Sequence, residues 1–500
     1  MSRNLVTSIT AEFAGRLFHA AVAGALLIFL TRILGPESYG VFALAVSIFA
    51  FSRLFSELGI ARSAARYVAE YKDDRPGTAT VVVAESRIFA VVAAVAVAFA
   101  LAVAADRIAG FLDEPALAPV LVVGSGFVLF YSLHQYNRIL LQGYENVTAS
   151  ASLHALEAAF TGVFVVVFVL YEPAATTAVI GYASGYGAVT VAGYVVVNRV
   201  SAPAGRRSPR RSETDDNPTS RTELRLRILK YNVPLTVTRL SSVVDRQVDV
   251  LLVGYFLNPL AVAFYTIGKE LSRLVNVPAA SLGFALSPSY GADKAAGRLE
   301  NAASIYGESL EKVLVLYVPA CTGIVLVADV AIPTVFGDEY AGAIVVVQIL
   351  ALFIFFEGLA YISSHSLDYL GRARSRAVVK SITSAGNFGL NLLLIPTVGV
   401  VGAAVATVIT HGVYSLATVY FVYTELAFDL RSVGRHLVRV SAITLLMALV
   451  VYAIVQALSG FAALFFAIGS GIGIWLVGCH VFDLLDYRRV VAKVRGRASD

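Results

Sequence analysis

Charged side chains are scarce in this chain of 500 residues: Asp, Glu, Lys and Arg make up 15% of it, and hydrophobic residues make up 58%. So few charges could not cover the surface of a soluble protein of this length. There are only two cysteines, Cys321 and Cys479, and both lie in apolar stretches. Two such residues cannot build a disulfide framework or a cysteine metal cluster, so we expect small buried side chains.

Motifs of nucleotide-driven and metal-dependent chemistry are also missing. The sequence contains neither a phosphate-binding P-loop nor an H-E-x-x-H motif, which argues against ATP-driven transport within this chain. The formal net charge is +5, but the basic residues are spread over many loops, so they do not indicate a nucleic-acid partner. Contacts with anionic lipid headgroups explain them better. We predict no metal site, no cofactor and no catalytic residues.

Long apolar runs dominate what is present, and Ile88 to Ala105 contains no polar side chain at all. Because lipid offers no partner for unpaired backbone groups, each run is expected to be a helix. The fold class is therefore an all-α polytopic membrane protein with 14 transmembrane helices. The predicted segments, numbered 1 to 14 in chain order, are 11–34, 38–60, 80–105, 117–141, 148–171, 176–198, 229–256, 260–286, 310–334, 342–370, 376–396, 399–424, 436–458 and 460–485.

Basic residues collect in the gaps that follow even-numbered segments and are sparse in the other gaps. The positive-inside rule then places those gaps and both termini in the cytoplasm, and the protein in the cytoplasmic membrane. Examples are Arg62, Arg66, Lys72 and Arg75 after segment 2, Arg372, Arg374, Arg376 and Lys380 after segment 10, and Arg488, Arg489, Lys493, Arg495 and Arg497 in the final stretch.

A polar stretch divides six segments from eight. It predicts a six-helix lobe at 1–200, a basic cytoplasmic linker at 201–227, a second six-helix lobe at 228–426, and two extra helices with a basic tail at 427–500. The two lobes also carry similar turns. The element at Leu34–Gly40 has a weaker copy at Leu257–Tyr265, six segments later. Six is an even number, so the copies have parallel topology.

These turns resemble those of the polysaccharide transport family of the multidrug/oligosaccharidyl-lipid/polysaccharide (MOP) flippase superfamily. The resemblance lies in L-G-P-x-x-Y-G at Leu34–Gly40, its copy, and L-I-P-x-x-G-x-x-G-A-A-x-A-T at Leu394–Thr407. It implies a flippase of the O-antigen type, with two six-helix lobes in a V that alternate access. Such a protein moves a polyprenyl phosphate or pyrophosphate glycan, its main partner, for cell-surface polysaccharide or glycoprotein assembly. Glycan-assembly enzymes are possible further partners.

Charged residues inside the apolar segments are the candidate site. An ionised side chain facing lipid costs at least about 2.5–3.5 kcal/mol, so such residues should face the interior. A phosphate headgroup leaving water requires Arg or Lys, and the resemblance implies that segments 1, 2, 7 and 8 line the cavity. The alternative is interhelical salt bridges or snorkelling. The candidates for phosphate binding are Arg16, Arg53, Lys269 and Arg273, followed by Arg239 and Arg246.

Buried carboxylates could couple transport to a Na⁺ or H⁺ gradient, and Asp249 and Glu357 are the candidates for this role. Other intramembrane polar residues are expected to have structural roles. Asn387 and Asn391 are interpreted as interhelical hydrogen-bonding residues. Four histidines in the apolar segments are interpreted as packing residues rather than a proton relay: His19, His134, His154 and His411.

Two other functions compete with the flippase. A MATE-like ion-coupled exporter of small amphipathic molecules would share the fold, but it would favour an acidic cavity, whereas the candidate lining residues here are mostly cationic. A membrane enzyme would need a catalytic site at the membrane surface. The outer gaps are short, and the longest, at about 106–116, lacks a convincing catalytic set. We therefore predict a protein that is not an enzyme.

Overall fold

The computed structural model describes residues 3–201, 243–482 and 484, with side chains from residue 19 onward except 284, 285, 287 and 288. Within these ranges the secondary structure is helical and contains no strand, which confirms the all-α prediction. Eleven helices of the described part are long and apolar enough to cross a membrane. The protein is therefore a multi-pass membrane protein.

The helices are numbered in chain order, with α7 described only over residues 243–256. A short 3-10 helix, Asp338–Tyr340, precedes α11. The other helices are α1 Arg3–Glu57, α2 Ile60–Tyr71, α3 Pro76–Phe111, α4 Leu117–Gly143, α5 Val147–Tyr171, α6 Ala175–Ser201, α8 Pro259–Val275, α9 Val277–Ala295, α10 Leu299–Phe336, α11 Ala343–Tyr369, α12 Ala373–Val398, α13 Val400–Leu426, α14 Leu430–Ala457 and α15 Gly460–Val481.

Helix α1 contains both of the first two predicted segments. Its backbone kinks at Gly35, where φ is 70° and ψ is 170°. Glycine adopts this positive φ without the steric cost that a Cβ atom would add, and the following Pro36 lacks the amide hydrogen that would continue the helical ladder. The backbone at Gly35 is not helical, so α1 consists of two helices that correspond to the predicted segments 11–34 and 38–60.

The basic gap after segment 2 is helical, which the hydropathy pattern did not predict. Helix α2 buries Ile60, Ala64 and Val68 along one face and exposes Arg62 and Arg66 on the other. An apolar stripe four residues apart with charges opposite it is typical of a helix lying along a surface. Such a stripe is too narrow to register as an apolar run.

The predicted segment 8, at 260–286, is also divided. Helix α8 ends at Val275, and α9 begins after Asn276 and continues to Ala295. Pro278 occupies the first turn of α9, where its missing amide hydrogen costs nothing. Segment 7 begins outside the described residues. The number of 14 transmembrane helices therefore stays a prediction.

Two compact units make up the chain, Met1–Ala263 and Phe264–Asp500. In the first unit, α6 packs along both α4 and α5, and α1 packs on α5 and α4. In the second unit, α11 packs against α13, α10 and α9, while α10 also packs against α14. The predicted linker at 201–227 lies outside the described residues apart from Ser201, so the division at 1–200, 228–426 and 427–500 stays a prediction.

The repeated turns meet each other within the first unit. A Cβ atom on Gly40 of α1 would lie 1.8 Å from the carbonyl oxygen of Pro259, which begins α8. A Cβ atom on Gly254 of α7 would lie 2.6 Å from the side chain of Leu44. Glycine is thus required at Gly40 by close approach of another backbone, and it brings the second half of α1 against the α7–α8 turn.

Candidate functional site

Arg53 is held inside the first unit by an aromatic ring. Its guanidinium carbon lies 3.9 Å from the centroid of the Tyr131 ring, so α1 and α4 meet in a cation–π contact. Arg53 is partly buried, and its Nε atom, which is shielded from solvent, has no hydrogen-bond partner among the described residues. The ring fixes the position of the cation and leaves this donor available.

A polar row on α4 continues from that ring. The amide nitrogen of Gln135 donates to the Tyr131 hydroxyl over 2.8 Å, and Nε of Arg138 donates to the Gln135 amide oxygen over 3.0 Å. These residues recur every three or four positions and so share one face of the helix. Sequence analysis missed Arg138, although an arginine inside predicted segment 4 was the signal that could have identified it.

The Tyr131 ring is also connected, through Tyr186, to a buried carboxylate. The Tyr131 and Tyr186 rings meet edge to face with centroids 5.0 Å apart. The Tyr186 hydroxyl of α6 donates to Oε1 of Glu157 on α5 over 2.8 Å. A continuous set of contacts therefore joins Arg53 to Glu157 through two tyrosines.

Three histidines surround Glu157, whose side chain is 6% exposed. Nε2 of His134 and Nδ1 of His154 lie 2.9 and 3.2 Å from Oε2, and Nε2 of His19 lies 3.5 Å from Oε1. The His19 and His154 rings are stacked, with centroids 4.5 Å apart and planes 10° apart. These histidines were interpreted separately as packing residues, whereas the fold brings α1, α4 and α5 together so that all three contact one acid.

The second unit arranges its candidate cations differently. Nζ of Lys269 lies 5.5 Å from the centroid of the buried Tyr265 ring, whose hydroxyl is 2.9 Å from that of Thr407. Arg273 is paired with Glu270, one turn earlier on α8, with 2.9 Å between nitrogen and oxygen. The Arg273 side chain is 60% exposed. Lys269 thus contacts an aromatic ring, and Arg273 forms an ion pair.

The remaining described candidates lie on α7 and α11. Asp249 on α7 is buried, Arg246 on the same helix is exposed, and Glu357 on α11 accepts a hydrogen bond from Nδ2 of Asn276 over 3.1 Å. The Arg16 side chain and the whole of Arg239 lie outside the described residues.

One structural role is confirmed. Nδ2 of Asn387 on α12 donates to the Thr410 hydroxyl on α13 over 3.2 Å, and Nδ2 of Asn391 donates to Oδ1 of Asn387 over 3.0 Å. The first of these bonds crosses between two helices, as interpreted from the sequence. These amides therefore support the packing of the second unit.

Comparison with known sequences identifies the family. The profile of the family described as "Polysaccharide biosynthesis protein" matches residues 5–291, which is more than half of the chain. The chain belongs to the polysaccharide biosynthesis protein family. The MatE profile matches residues 234–397. The resemblance noted in the sequence to flippases of the MOP superfamily is thus confirmed.

Two curated relatives of this family member have assigned transport roles. A Shigella flexneri protein assigned as an O-antigen transporter is 21% identical over 391 residues, which cover 76% of this chain and 88% of that protein. A Haloferax volcanii protein assigned as the low-salt glycan biosynthesis flippase Agl15 is 25% identical over 207 residues, covering 41% of this chain and 43% of that protein.

Solved structures show the fold of this family member. The inward closed conformation of the lipid II flippase MurJ superposes with a TM-score of 0.74 at 16% identity, covering 97% of this chain and all (100%) of that one. An inward-facing MATE transporter of the MOP superfamily superposes with a TM-score of 0.67 at 14% identity, covering 86% of this chain and 99% of that one. The fold is shared by both kinds of transporter.

Proposed function

We propose that this protein is a flippase that moves a lipid-linked sugar or oligosaccharide across the cytoplasmic membrane by alternating access. The passenger carries a polyprenyl phosphate or pyrophosphate and serves cell-surface polysaccharide or glycoprotein assembly. Family membership and the assigned roles of the two curated relatives support this proposal. Translocation needs no covalent chemistry, so the protein is not an enzyme; the assembly enzymes that make and use the glycan are its expected functional neighbours.

The proposed architecture has 14 transmembrane helices, of which the described residues contain 11 candidate spans. Helix α1 is counted there as one span but contains two predicted segments, so it adds a twelfth span. Segments 7 and 8 complete the set. Two six-helix lobes at 1–200 and 228–426 would alternate access, with two extra helices at 427–500 and both termini in the cytoplasm.

The observation that carries the proposal is the position of Arg53 in the first unit. Moving a phosphate through hydrocarbon requires protein donors in place of water, and arginine offers a planar set of donors suited to phosphate oxygens. Tyr131 holds the Arg53 guanidinium in place, and the shielded Nε atom has no acceptor among the described residues. Arg138 and Gln135 add polar groups along the adjoining face of α4.

Lys269 and Arg273 are the proposed phosphate contacts of the second unit. Arg273 would have to leave Glu270 or share its charge, and Lys269 lies over the Tyr265 ring. Arg16, Arg239 and Arg246 complete the proposed set. Asp249, which is buried, and Glu357 are the proposed sites of Na⁺ or H⁺ coupling, because a carboxylate at membrane depth can bind either ion.

The alternative is a MATE-like ion-coupled exporter of small amphipathic molecules. The MatE profile match at residues 234–397 favours it. A binding assay on the purified protein separates the two functions: the flippase is expected to bind a short-chain polyprenyl phosphate more tightly than an amphipathic organic cation. The opposite preference would support the exporter.

The test in cells uses a host strain whose own flippase gene is deleted. Full-length protein should restore display of surface glycan, and the quadruple variant Arg16→Ala, Arg53→Ala, Lys269→Ala and Arg273→Ala should not. The matched control is Arg66→Ala, which removes an exposed arginine stacked at 5.8 Å on Tyr67 of α2. Full display by the quadruple variant at wild-type protein levels would contradict the phosphate-binding role of these residues.

A further inference from the structure

We propose that the first unit contains a binding site for a Zn²⁺ ion, with His19, His154 and Glu157 as its protein ligands. The inference concerns a site other than Arg53 and does not depend on the passenger. One nitrogen from each histidine and one carboxylate oxygen lie within 4.8 Å of one another. They come from α1 and α5, so the ion would join these two helices directly.

The spacing of the donor atoms suits a small tetrahedral ion. Ligands bound to Zn²⁺ at about 2.0–2.1 Å in tetrahedral geometry lie about 3.4 Å from each other. Nδ1 of His154 is 3.2 Å from Oε2 of Glu157, and Nε2 of His19 is 3.5 Å from Oε1. Each separation is close to this spacing, but the two involve different oxygens of Glu157, so binding of the ion requires the carboxylate and the rings to adjust.

Supporting hydrogen bonds hold the carboxylate. The Tyr186 hydroxyl donates to Oε1 of Glu157, and Nε2 of His134 lies 2.9 Å from Oε2. Nδ1 of His134, a fully buried residue, has no hydrogen-bond partner among the described residues, which fits a neutral ring that donates through Nε2. Ligating carboxylates in metal sites are commonly oriented by such outer hydrogen bonds.

The kinds of donor atom favour zinc over the alkaline-earth ions. Imidazole nitrogens suit Zn²⁺ and its neighbours in the first transition row, whereas Ca²⁺ and Mg²⁺ prefer an all-oxygen shell that one carboxylate cannot provide. Two histidines and one glutamate form a known zinc ligand set that leaves a fourth position for water. The His19 side chain is 37% exposed, and it is the least buried of the three proposed ligands.

The two histidine rings are stacked and would have to reorient to bind one ion. They face each other at 4.5 Å with planes 10° apart, where two imidazolium charges would repel. Metal binding uses the in-plane lone pair of each neutral ring, so one ring must turn out of the stack for both to reach the ion. The buried Glu157 charge then faces a cation instead of relying on hydrogen bonds alone.

The experiment measures zinc in the purified full-length protein, carrying a streptavidin-binding tag because a polyhistidine tag would itself bind zinc. After chelator treatment, the protein is given ZnCl₂ and passed through a sizing column, and the metal per chain is measured by mass spectrometry. We expect one zinc per chain, with a Kd obtained by competition with a fluorescent zinc indicator. His19→Ala and His154→Ala should each weaken binding at least about 10-fold, and the double variant should retain none.

The control is His411→Ala in the second unit, where the His411 ring packs edge-on against Phe353 at 4.7 Å and lies in a different unit from the cluster. It should leave zinc binding unchanged. A wild-type protein that retains no zinc, or a double variant that retains as much as wild type, would overturn the proposal.

A second measurement covers the case in which a variant misfolds. X-ray absorption of the zinc-loaded wild type should show nitrogen and oxygen ligands, including imidazole. Sulfur ligation would place the metal at Cys321 or Cys479 and overturn the proposal. Co²⁺ added to the chelator-treated wild type should likewise give the visible spectrum of a four-coordinate site, and an octahedral spectrum identical to that of free Co²⁺ would count against it.

Discussion

Arg53 and Arg273 share a sequence signal but occupy contrasting surroundings. Both are arginines inside apolar segments, with a carboxylate on the same helix within one turn. Arg53 is partly buried over the Tyr131 ring and has a shielded donor without a partner among the described residues, whereas Arg273 is 60% exposed and paired with Glu270. The difference teaches that an intramembrane charge in a sequence marks a candidate, while its partners determine how free it is to bind a ligand.

The largest effect on transport is expected at Arg53. A hydrogen bond to a charged group contributes roughly 1.5–3 kcal/mol, so Arg53→Ala should lower the rate of flipping by roughly 10- to 100-fold. Arg53→Lys should recover part of the rate, because lysine keeps the charge but loses the planar donor set. The rate is measured in proteoliposomes, with Arg66→Ala as the control. Equal rates for Arg53→Ala and wild type would remove the contrast between the two arginines.

The second comparison concerns how much Glu157 and Glu270 contribute to the stability of the folded protein. Glu157→Ala leaves His134 and Tyr186 without their acceptor in the interior, and each buried donor left without a partner costs roughly 1–3 kcal/mol. Glu270→Ala removes a largely solvent-exposed ion pair and should cost no more than about 1 kcal/mol. Thermal unfolding in detergent measures both. Similar melting temperatures for the two variants would show that the Glu157 cluster does not stabilise the first unit.

Lys269 should give an intermediate effect on flipping. Its ammonium group lies 5.5 Å from the centroid of the Tyr265 ring, and a point charge should contribute less to phosphate binding than the planar donor set of a guanidinium. Lys269→Ala is expected to slow flipping by about 3- to 10-fold, a change of about 0.7–1.4 kcal/mol. Lys269→Arg is the matched variant and should retain most of the rate. A loss greater than that of Arg53→Ala would reverse the ranking.

Arg273 should give the smallest effect. Because Glu270 already compensates its charge, Arg273→Ala is expected to change the flipping rate by less than about 3-fold, in line with the small contribution of exposed ion pairs. Glu270→Ala frees the arginine and should leave the rate equal to wild type or raise it. A strong loss with Arg273→Ala would show that the ion pair opens during transport and that the second unit binds the phosphate as firmly as the first.

The helical fold could be predicted because lipid leaves the backbone few alternatives and because apolar runs are long. Turn chemistry at Gly35 and Pro36 predicted the break between the first two segments, and the backbone at Gly35 is not helical. Helix α2 was missed because its buried residues Ile60, Ala64 and Val68 form a stripe along one face and not a continuous apolar run in the sequence. Hydropathy reports how apolar a segment is, not which face its polar residues occupy.

The site was less predictable because it depends on contacts distant in sequence. Arg53 was identified from its charge, but its contact with Tyr131 joins two helices, and Arg138 was overlooked among apolar neighbours. Of the three histidines around Glu157, only His154 lies at a helical spacing from it. His19 and His134 reach the acid only once α1 and α4 pack beside α5, so no local pattern could have grouped them.

The most direct test of the flippase account uses proteoliposomes that contain a polyprenyl phosphate sugar with a fluorophore on the sugar. A membrane-impermeant reductant bleaches only the outer leaflet unless the lipid crosses. The account predicts that wild-type protein exposes the inner-leaflet pool to bleaching and that Arg53→Ala largely fails to do so. Bleaching confined to the outer leaflet with folded wild-type protein, both with and without imposed Na⁺ and H⁺ gradients, would contradict it.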